Sequence, residues 1–325
     1  MLKVPLLDLT KAVVQFPERT GSLRCGTLDG RSSARMTIAL ERLIAELEED
    51  RRLDQPDGVR QRLEALDRLD AFPINGELPA EGAEAEVYRK ARMLFRELEF
   101  ANRNLYESIR SEIQVGAGPC TLFHWANEWS RDWSKNREVS GESYDWLDEL
   151  VSGVLQIKKP KAEAGQLETE MVFYQPTPAR HIFDLMGRTA LNERDVLVDL
   201  GSGLGHVTLM TAICTGAQSV GIEREAAYVD CARQSARKLK LSNVVFIEQD
   251  AREADLSSGT VFYLYTPFAG SILRAVLDLL RKEATRRKIR VCTFGPCTSA
   301  VTEEQWLKVA DRLEPDRIAV FCSRN

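Results

Sequence analysis

The sequence predicts an α/β fold: a seven-strand, doubly wound, mostly parallel sheet with an antiparallel C-terminal hairpin, preceded by an all-helical N-terminal domain. Three observations predict it. From about residue 171 onward, short β-rich runs alternate with amphipathic segments, the pattern of a parallel sheet covered on both faces. Before residue 160 the apolar residues recur at three and four, the period of helices. Between the two, Lys158-Lys159-Pro160 ends the helical pattern and 161–170 reads as a linker. The length of 325 residues fits two domains better than one core. The expected organisation is a partly irregular arm over 1–32, a helical domain over 33–160, the linker, and the sheet domain over 171–325.

In the helical part, Leu40, Leu43, Ile44 and Leu47 form one apolar stripe on a helix between Ser33 and Leu53, and a second helix follows from Gly58 to Leu69. The stretch from Glu81 to Ile113 has no Pro and only Gly82 near its start. Val87, Ala91, Leu94, Leu98, Ala101, Leu105 and Ile109 recur on a helical period along it, which predicts a long central helix. Gly116-Ala117-Gly118-Pro119 breaks the chain, and Trp125, Trp129 and Trp133 then share one helical face, expected to pack a core or a seam. A last helix is expected over Ser143–Ile157.

The strands are expected at Asp195–Leu200, Ser219–Glu223, Asn243–Gln249, Thr260–Tyr265, Ile289–Phe294, Trp306–Leu313 and Arg317–Ser323. Glu314-Pro315-Asp316 places Pro at a favoured turn position, so the last two strands should form the edge hairpin.

Composition excludes several classes. A formal charge of -5 argues against affinity that comes mainly from neutralising nucleic-acid phosphates. The seven Cys are scattered and form no Cys-x-x-Cys pair, which reads as reduced thiols in a cytoplasmic protein. No signal peptide or membrane-length apolar run is evident, so no membrane partner is expected. His124 and His181 are too isolated to suggest a metal site, and none is expected.

The chemistry concentrates at Asp199-Leu200-Gly201-Ser202-Gly203-Leu204-Gly205. A strand ending in Asp199, a glycine-rich turn and the apolar helix Val207–Cys214 should place exposed backbone N–H groups at a helix N-terminus, with Gly216 closing the helix. A dinucleotide fingerprint needs Gly three residues after the second, where this chain has His206. The hydrolase pattern Gly-x-Ser-x-Gly fails because Leu200 stands two residues before Ser202. The second strand ends in Glu223, whose carboxylate suits the two hydroxyls of a ribose. The third ends near Asp250-Ala251, beside the place of an adenine amino group. Each carboxylate has a plain alternative as a strand-end or helix-capping residue, but together they converge on one crevice.

With these motifs, residues 174–325 resemble the class I, seven-strand S-adenosylmethionine-dependent methyltransferases. The resemblance implies S-adenosylmethionine as cofactor, with Asp199, Gly201, Gly203 and Gly205 along its methionine end, Glu223 on the ribose, and Asp250 with Ala251 at the adenine. Tyr174-Gln175-Pro176-Thr177-Pro178 is similar to the Tyr-x-Pro-Thr-Pro segment of a bacterial and mitochondrial group that includes lysine methylators, and more distantly to the non-SET protein-lysine methyltransferases. There this loop folds over the cofactor, which makes Tyr174 and Thr177 candidates. Locally, Thr177 and Pro178 also read as the N-cap and first residue of a helix carrying Ile182, Phe183, Leu185 and Met186.

The fourth strand runs into Tyr265-Thr266-Pro267-Phe268, where amine-modifying members carry Asn-Pro-Pro-Tyr or a related motif. Thr266 departs from that pattern and offers a single hydroxyl. Tyr265, Thr266 and Phe268 are the expected acceptor pocket. A lysine acceptor would have to arrive neutral, which an apolar aromatic channel of Tyr174, Tyr265 and Phe268 would favour.

The basic run Arg281-Lys282, Arg286-Arg287-Lys288 and Arg290 should lie at the opposite sheet edge as a solvated helix end. The expected partner is a methyl-acceptor substrate, protein side chain or small metabolite, with nucleic acid disfavoured. Two other classes stay open at this level: a catalytically silent cofactor- or nucleotide-binding module acting as an interaction platform, and a nicotinamide-dependent oxidoreductase.

Overall fold

A computed structural model describes residues 30–76, 81–133, 143–157, 160, 174–265, 268–315 and 317–324. The chain divides into two compact units between Asn102 and Arg103.

The first unit holds α1 (Gly30–Glu49), α2 (Val59–Asp70) and the first part of α3 (Ala83–Gln114). The stripe Leu40, Leu43, Ile44 and Leu47 is buried as the periodicity predicts. On α3 Ala91, Leu98 and Ile109 are buried as the period predicts, Tyr88, Phe95 and Asn102 are buried beside them, and Val87, Leu94, Ala101 and Leu105 lie on the flank. Asn102 escapes an apolar count because it is polar; its amide oxygen accepts from buried Arg62, whose guanidinium also reaches the Leu53 and Gln55 carbonyls. A charge can sit in this core because its donors are satisfied.

The second unit contains α4 (Gly118–Trp133), α5 (Trp146–Leu155), α6 (Ala179–Thr189) and the sheet. The strands are β1 (Val196–Leu200), β2 (Gln218–Glu223), β3 (Val244–Glu248), β4 (Val261–Tyr265), β5 (Arg290–Phe294), β6 (Leu307–Val309) and β7 (Ala319–Ser323). Their order is β3-β2-β1-β4-β5-β7-β6. The first five in that order run parallel, and β7 is antiparallel to both β5 and β6. This is the expected doubly wound sheet with a C-terminal edge hairpin. The sixth strand is shorter than expected, because the residues after Val309 leave the sheet before the turn.

Helices α7 (His206–Thr215), α8 (Ala226–Lys238), α9 (Gly270–Arg286) and α10 (Cys297–Thr302) complete the unit. One face of the sheet, with Val198, Leu200, Phe262 and Leu264, packs beneath α9. The alternate residues Leu197, Asp199 and Tyr263 point to the other face, where α7 lies on β1 and β2. All of His206–Cys214 is buried, because α4, α5 and α6 pack against α7. A helix apolar on every side needs such enclosure. The composition shift at 161–170 therefore does not coincide with the division of the fold, since α4 and α5 precede it and pack with the sheet unit. Trp125 is buried with its ring centroid 6.3 Å from that of Trp146, and the Trp129 indole donates to Asp145 Oδ2 at 2.6 Å. Trp125 and Trp129 thus pack the helical layer, and the side chain of Trp133 lies outside the described ones.

Candidate functional site

Reversal of strand order places a crevice at the carboxyl ends of β1 and its neighbours, the position where open α/β sheets bind ligands. The turn Gly201–Gly205 leaves β1 there and enters α7. Gly203 has φ +53, and a Cβ on it would stand 2.0 Å from the Tyr174 ring. A Cβ on Gly205, at φ +86, would stand 2.6 Å from the Phe246 ring. Glycine at these two positions is required by backbone conformation and by aromatic rings pressed on the turn.

The backbone N–H groups of the turn, expected to be exposed, are engaged within the protein. Gly201 and Ser202 both donate to the Ile222 carbonyl, at 2.9 and 3.0 Å, and Gly205 donates to the Ser202 carbonyl. Gly203 donates to Glu223 Oε2 at 2.8 Å. A carboxylate already accepting from the turn disfavours a phosphate at the Gly203 amide.

Two acidic residues meet at this turn, and a third lies just past the neighbouring strand β3. Asp199 is buried and accepts from the Thr208 hydroxyl at 3.1 Å; burial, and next the Glu223 charge, push its carboxyl up to about 7. Glu223 is held by backbone on both oxygens, Oε1 taking the Glu225 amide at 2.9 Å. Each oxygen keeps a second lone pair for a hydroxyl donor. Asp250 follows β3, accepts from the Arg252 amide and pairs with its guanidinium at 2.6 Å, so that its carboxyl lies below the usual range. Ala251 opens a short 3-10 turn and is buried at its edge.

Segment 174–178 lies over the turn. The Tyr174 hydroxyl is 3.1 Å from His206 Nδ1, and His206 Nε2 is 3.5 Å from Ser152 Oγ. Either ring nitrogen of the neutral imidazole can carry the proton, so the Tyr174 hydroxyl and Nδ1 exchange donor and acceptor roles with the tautomer. Burial drives the His206 pKa down to about 4, so the imidazole is neutral. Tyr174 also packs on Tyr228, ring centroids 5.2 Å apart.

Thr177 does not cap the following helix. Its hydroxyl is 2.9 Å from the Tyr263 hydroxyl and is buried beneath the loop, and Pro178 is the N-cap without a side-chain bond. The cap comes from elsewhere in the chain, as the Ala179 amide donates to Asp148 Oδ1 at 2.6 Å.

At the end of β4 the Tyr265 ring stands 5.1 Å from that of Phe294, which in turn stacks at 4.0 Å on His181. Thr266 lies outside the described residues. Phe268 is 5% exposed and packs in the core beneath α9, away from an open wall. Of the basic run, Arg287 reaches the Gly259 and Leu256 carbonyls and Glu283, and Arg290 pairs with Asp195. These two are structural.

The sequence motifs missed Tyr228, Phe246, Tyr263 and Asp148. A visible signal existed only for Phe246, as the one aromatic residue of β3. The remaining contacts depend on elements distant in sequence.

This donor set fits an adenosine carrying an amino acid: a carboxylate with spare lone pairs for vicinal hydroxyls, a second buried carboxylate for an ammonium, and no anion cradle. Residues 191–281 match the family described as methyltransferase domain. Comparison with curated proteins finds no match. Among solved structures, an RNA methyltransferase from Salinibacter ruber in complex with S-adenosyl-L-homocysteine is 27% identical, over 46% of this chain and 92% of its own, with a TM-score of 0.38. A SAM-dependent methyltransferase from Geobacter sulfurreducens in complex with the same ligand is 22% identical, over 35% of this chain and 47% of its own, with a TM-score of 0.30. A precorrin 8W decarboxylase from Methanobacterium thermoautotrophicum is 18% identical, over 47% of this chain and 93% of its own, with a TM-score of 0.35.

Proposed function

We propose that this chain, which carries a class I S-adenosylmethionine-dependent methyltransferase domain, methylates a nucleophilic nitrogen or oxygen of a protein side chain or small metabolite. The observation that carries the reading is the meeting of Asp199 and Glu223 at a glycine turn covered by Tyr174, with Asp250 just past the neighbouring strand. S-adenosylmethionine supplies an electrophilic methyl on its sulfonium.

In this reading Glu223 holds the ribose, because its oxygens are already oriented by the Gly203 and Glu225 amides. Asp250 and Ala251 border the adenine. Asp199 faces the amino group of the methionine end, and a cation there favours its ionised form. Tyr174 closes the turn from above and excludes water. Tyr265 lines the acceptor side together with two residues not marked by the motif, Phe294 and His181. The protein's work is then to align acceptor and methyl, more than to supply acid or base strength.

The test is incubation of the protein with a cell lysate and radiolabelled cofactor, followed by separation into protein, nucleic acid and small molecules. Label in protein or small molecules is expected. Label in nucleic acid alone overturns the acceptor class, and cofactor binding without labelling of any fraction overturns methyl transfer.

A further inference from the structure

Helix α5 and the residues leading into it reach the two ends of the segment over the glycine turn, partly through Ala179 and His206. At the N-terminal end of the helix, the two oxygens of one carboxylate are divided between two helices. Asp148 Oδ2 accepts from the Asp145 amide at 2.8 Å, closing a capping box on α5, while Oδ1 accepts from the Ala179 amide, the first of α6. Two more bonds join the same places: the Tyr144 hydroxyl donates to the Pro176 carbonyl at 2.7 Å, and Arg180 donates to the Ser143 carbonyl at 2.5 Å. One turn further along α5, Ser152 meets His206, which holds the Tyr174 hydroxyl.

The segment 174–178 is pinned from outside at residues 174, 176 and 177, the last by Tyr263 of β4, and at Ala179 immediately after it. Its two prolines stiffen it between these points, since each fixes its own φ. A stiff span held at both ends keeps the Tyr174 ring over Gly203. Were the pins released, that ring would lose its position.

Resting on the cofactor reading above, we infer that Asp148 is a positioning residue for cofactor binding, acting through a latch in which α5 clamps the Tyr174–Pro178 segment over the glycine turn. Asp148 itself is buried and stands off the crevice. Its effect passes through the Ala179 amide to the segment, and Tyr144 adds the second hold at Pro176.

The test compares wild type with Asp148→Asn and Tyr144→Phe, each confirmed folded by circular dichroism. S-adenosylhomocysteine affinity is measured by calorimetry, and amide exchange over 174–180 by mass spectrometry. An amide side chain cannot accept from both backbone donors, so Asp148→Asn should weaken binding about tenfold. Tyr144→Phe should weaken it about fivefold, the scale of a neutral bond. Both should speed exchange in the segment and reduce the ligand-induced rise in melting temperature. A purely structural role would lower the melting temperature of free and bound protein alike and leave affinity unchanged.

Wild-type affinity in both folded variants overturns the latch and leaves the cofactor reading standing. Absence of binding to wild type overturns both. Should Asp148→Asn fail to fold, Tyr144→Phe, which removes a single hydroxyl, decides alone.

Discussion

Gly203 and Tyr174 illustrate how one residue's identity is set by another's position. The Tyr174 ring fills the space that a Cβ on Gly203 would need, and the backbone there has positive φ. Gly203→Ala should therefore weaken S-adenosylhomocysteine binding at least about tenfold through strain and clash. Gly203→Ala with Tyr174→Ala should lose less than the sum of the two single changes, because the clash vanishes with the ring. Calorimetric titration of the four proteins measures the coupling, and strict additivity would refute the packing account.

Phe268 makes the contrasting case. Its motif position suggests an acceptor wall, yet it is buried in the core. Phe268→Ala should cost about 3–5 kcal/mol in urea unfolding, the range for deleting a buried aromatic ring. A cost below about 1 kcal/mol would mean the ring is only loosely packed.

Among the elements, α7 unites the site with the helical layer. Its residues are buried on all sides and its first residue, His206, is both the N-terminus of the helix and the support of Tyr174. Because α4, α5 and α6 cover it, the sheet domain read from composition as 171–325 lacks two of the helices that enclose α7. A protein beginning at residue 171 should expose that apolar surface and lose its cooperative thermal transition, whereas the full chain should retain it. A sharp calorimetric melt from the shorter protein would show that the sheet unit does not need α4 and α5. The bonds from α5 to the 174–179 segment make the same point at the level of function, since they join helices on opposite sides of the composition boundary.

For the whole molecule, pH dependence gathers the buried groups. Burial pushes Asp199 and Asp148 up to about 7 from 3.8, so the folded chain keeps protons that the unfolded chain releases above about pH 4. Their contribution to stability is full below the unfolded value and is lost as pH rises through about 7. His206 works in the other direction: depressed to about 4 from 6.5, it lowers stability as pH falls below 6.5. The two effects oppose each other between pH 4 and 6.5, and above 6.5 only the carboxyls act. With two carboxyls against one histidine, the melting temperature should thus decline from about pH 5 to about pH 7 and level off above it, and Asp148→Asn should flatten much of that decline. A flat profile across this range, measured by differential scanning calorimetry, would show that neither carboxyl keeps its proton. No helix among the described residues is long and apolar enough to cross a membrane.

The order of elements, the seven strands, the glycine turn and the acidic strand ends were all determined by the sequence itself. Each rests on local periodicity or on residues close together in the chain, such as Asp199 and Gly203. Tertiary structure alone decided which donors the turn retains, what caps α6, where Phe268 points and that Tyr88, Phe95 and Asn102 join the buried face of α3. Those outcomes depend on partners tens of residues away, Asp148 for Ala179, Tyr174 for Gly203 and Tyr263 for Thr177. Local pattern encodes the backbone's preferred path; the choice among hydrogen-bond partners is made only when packing brings distant groups into reach and burial makes an unmet donor costly.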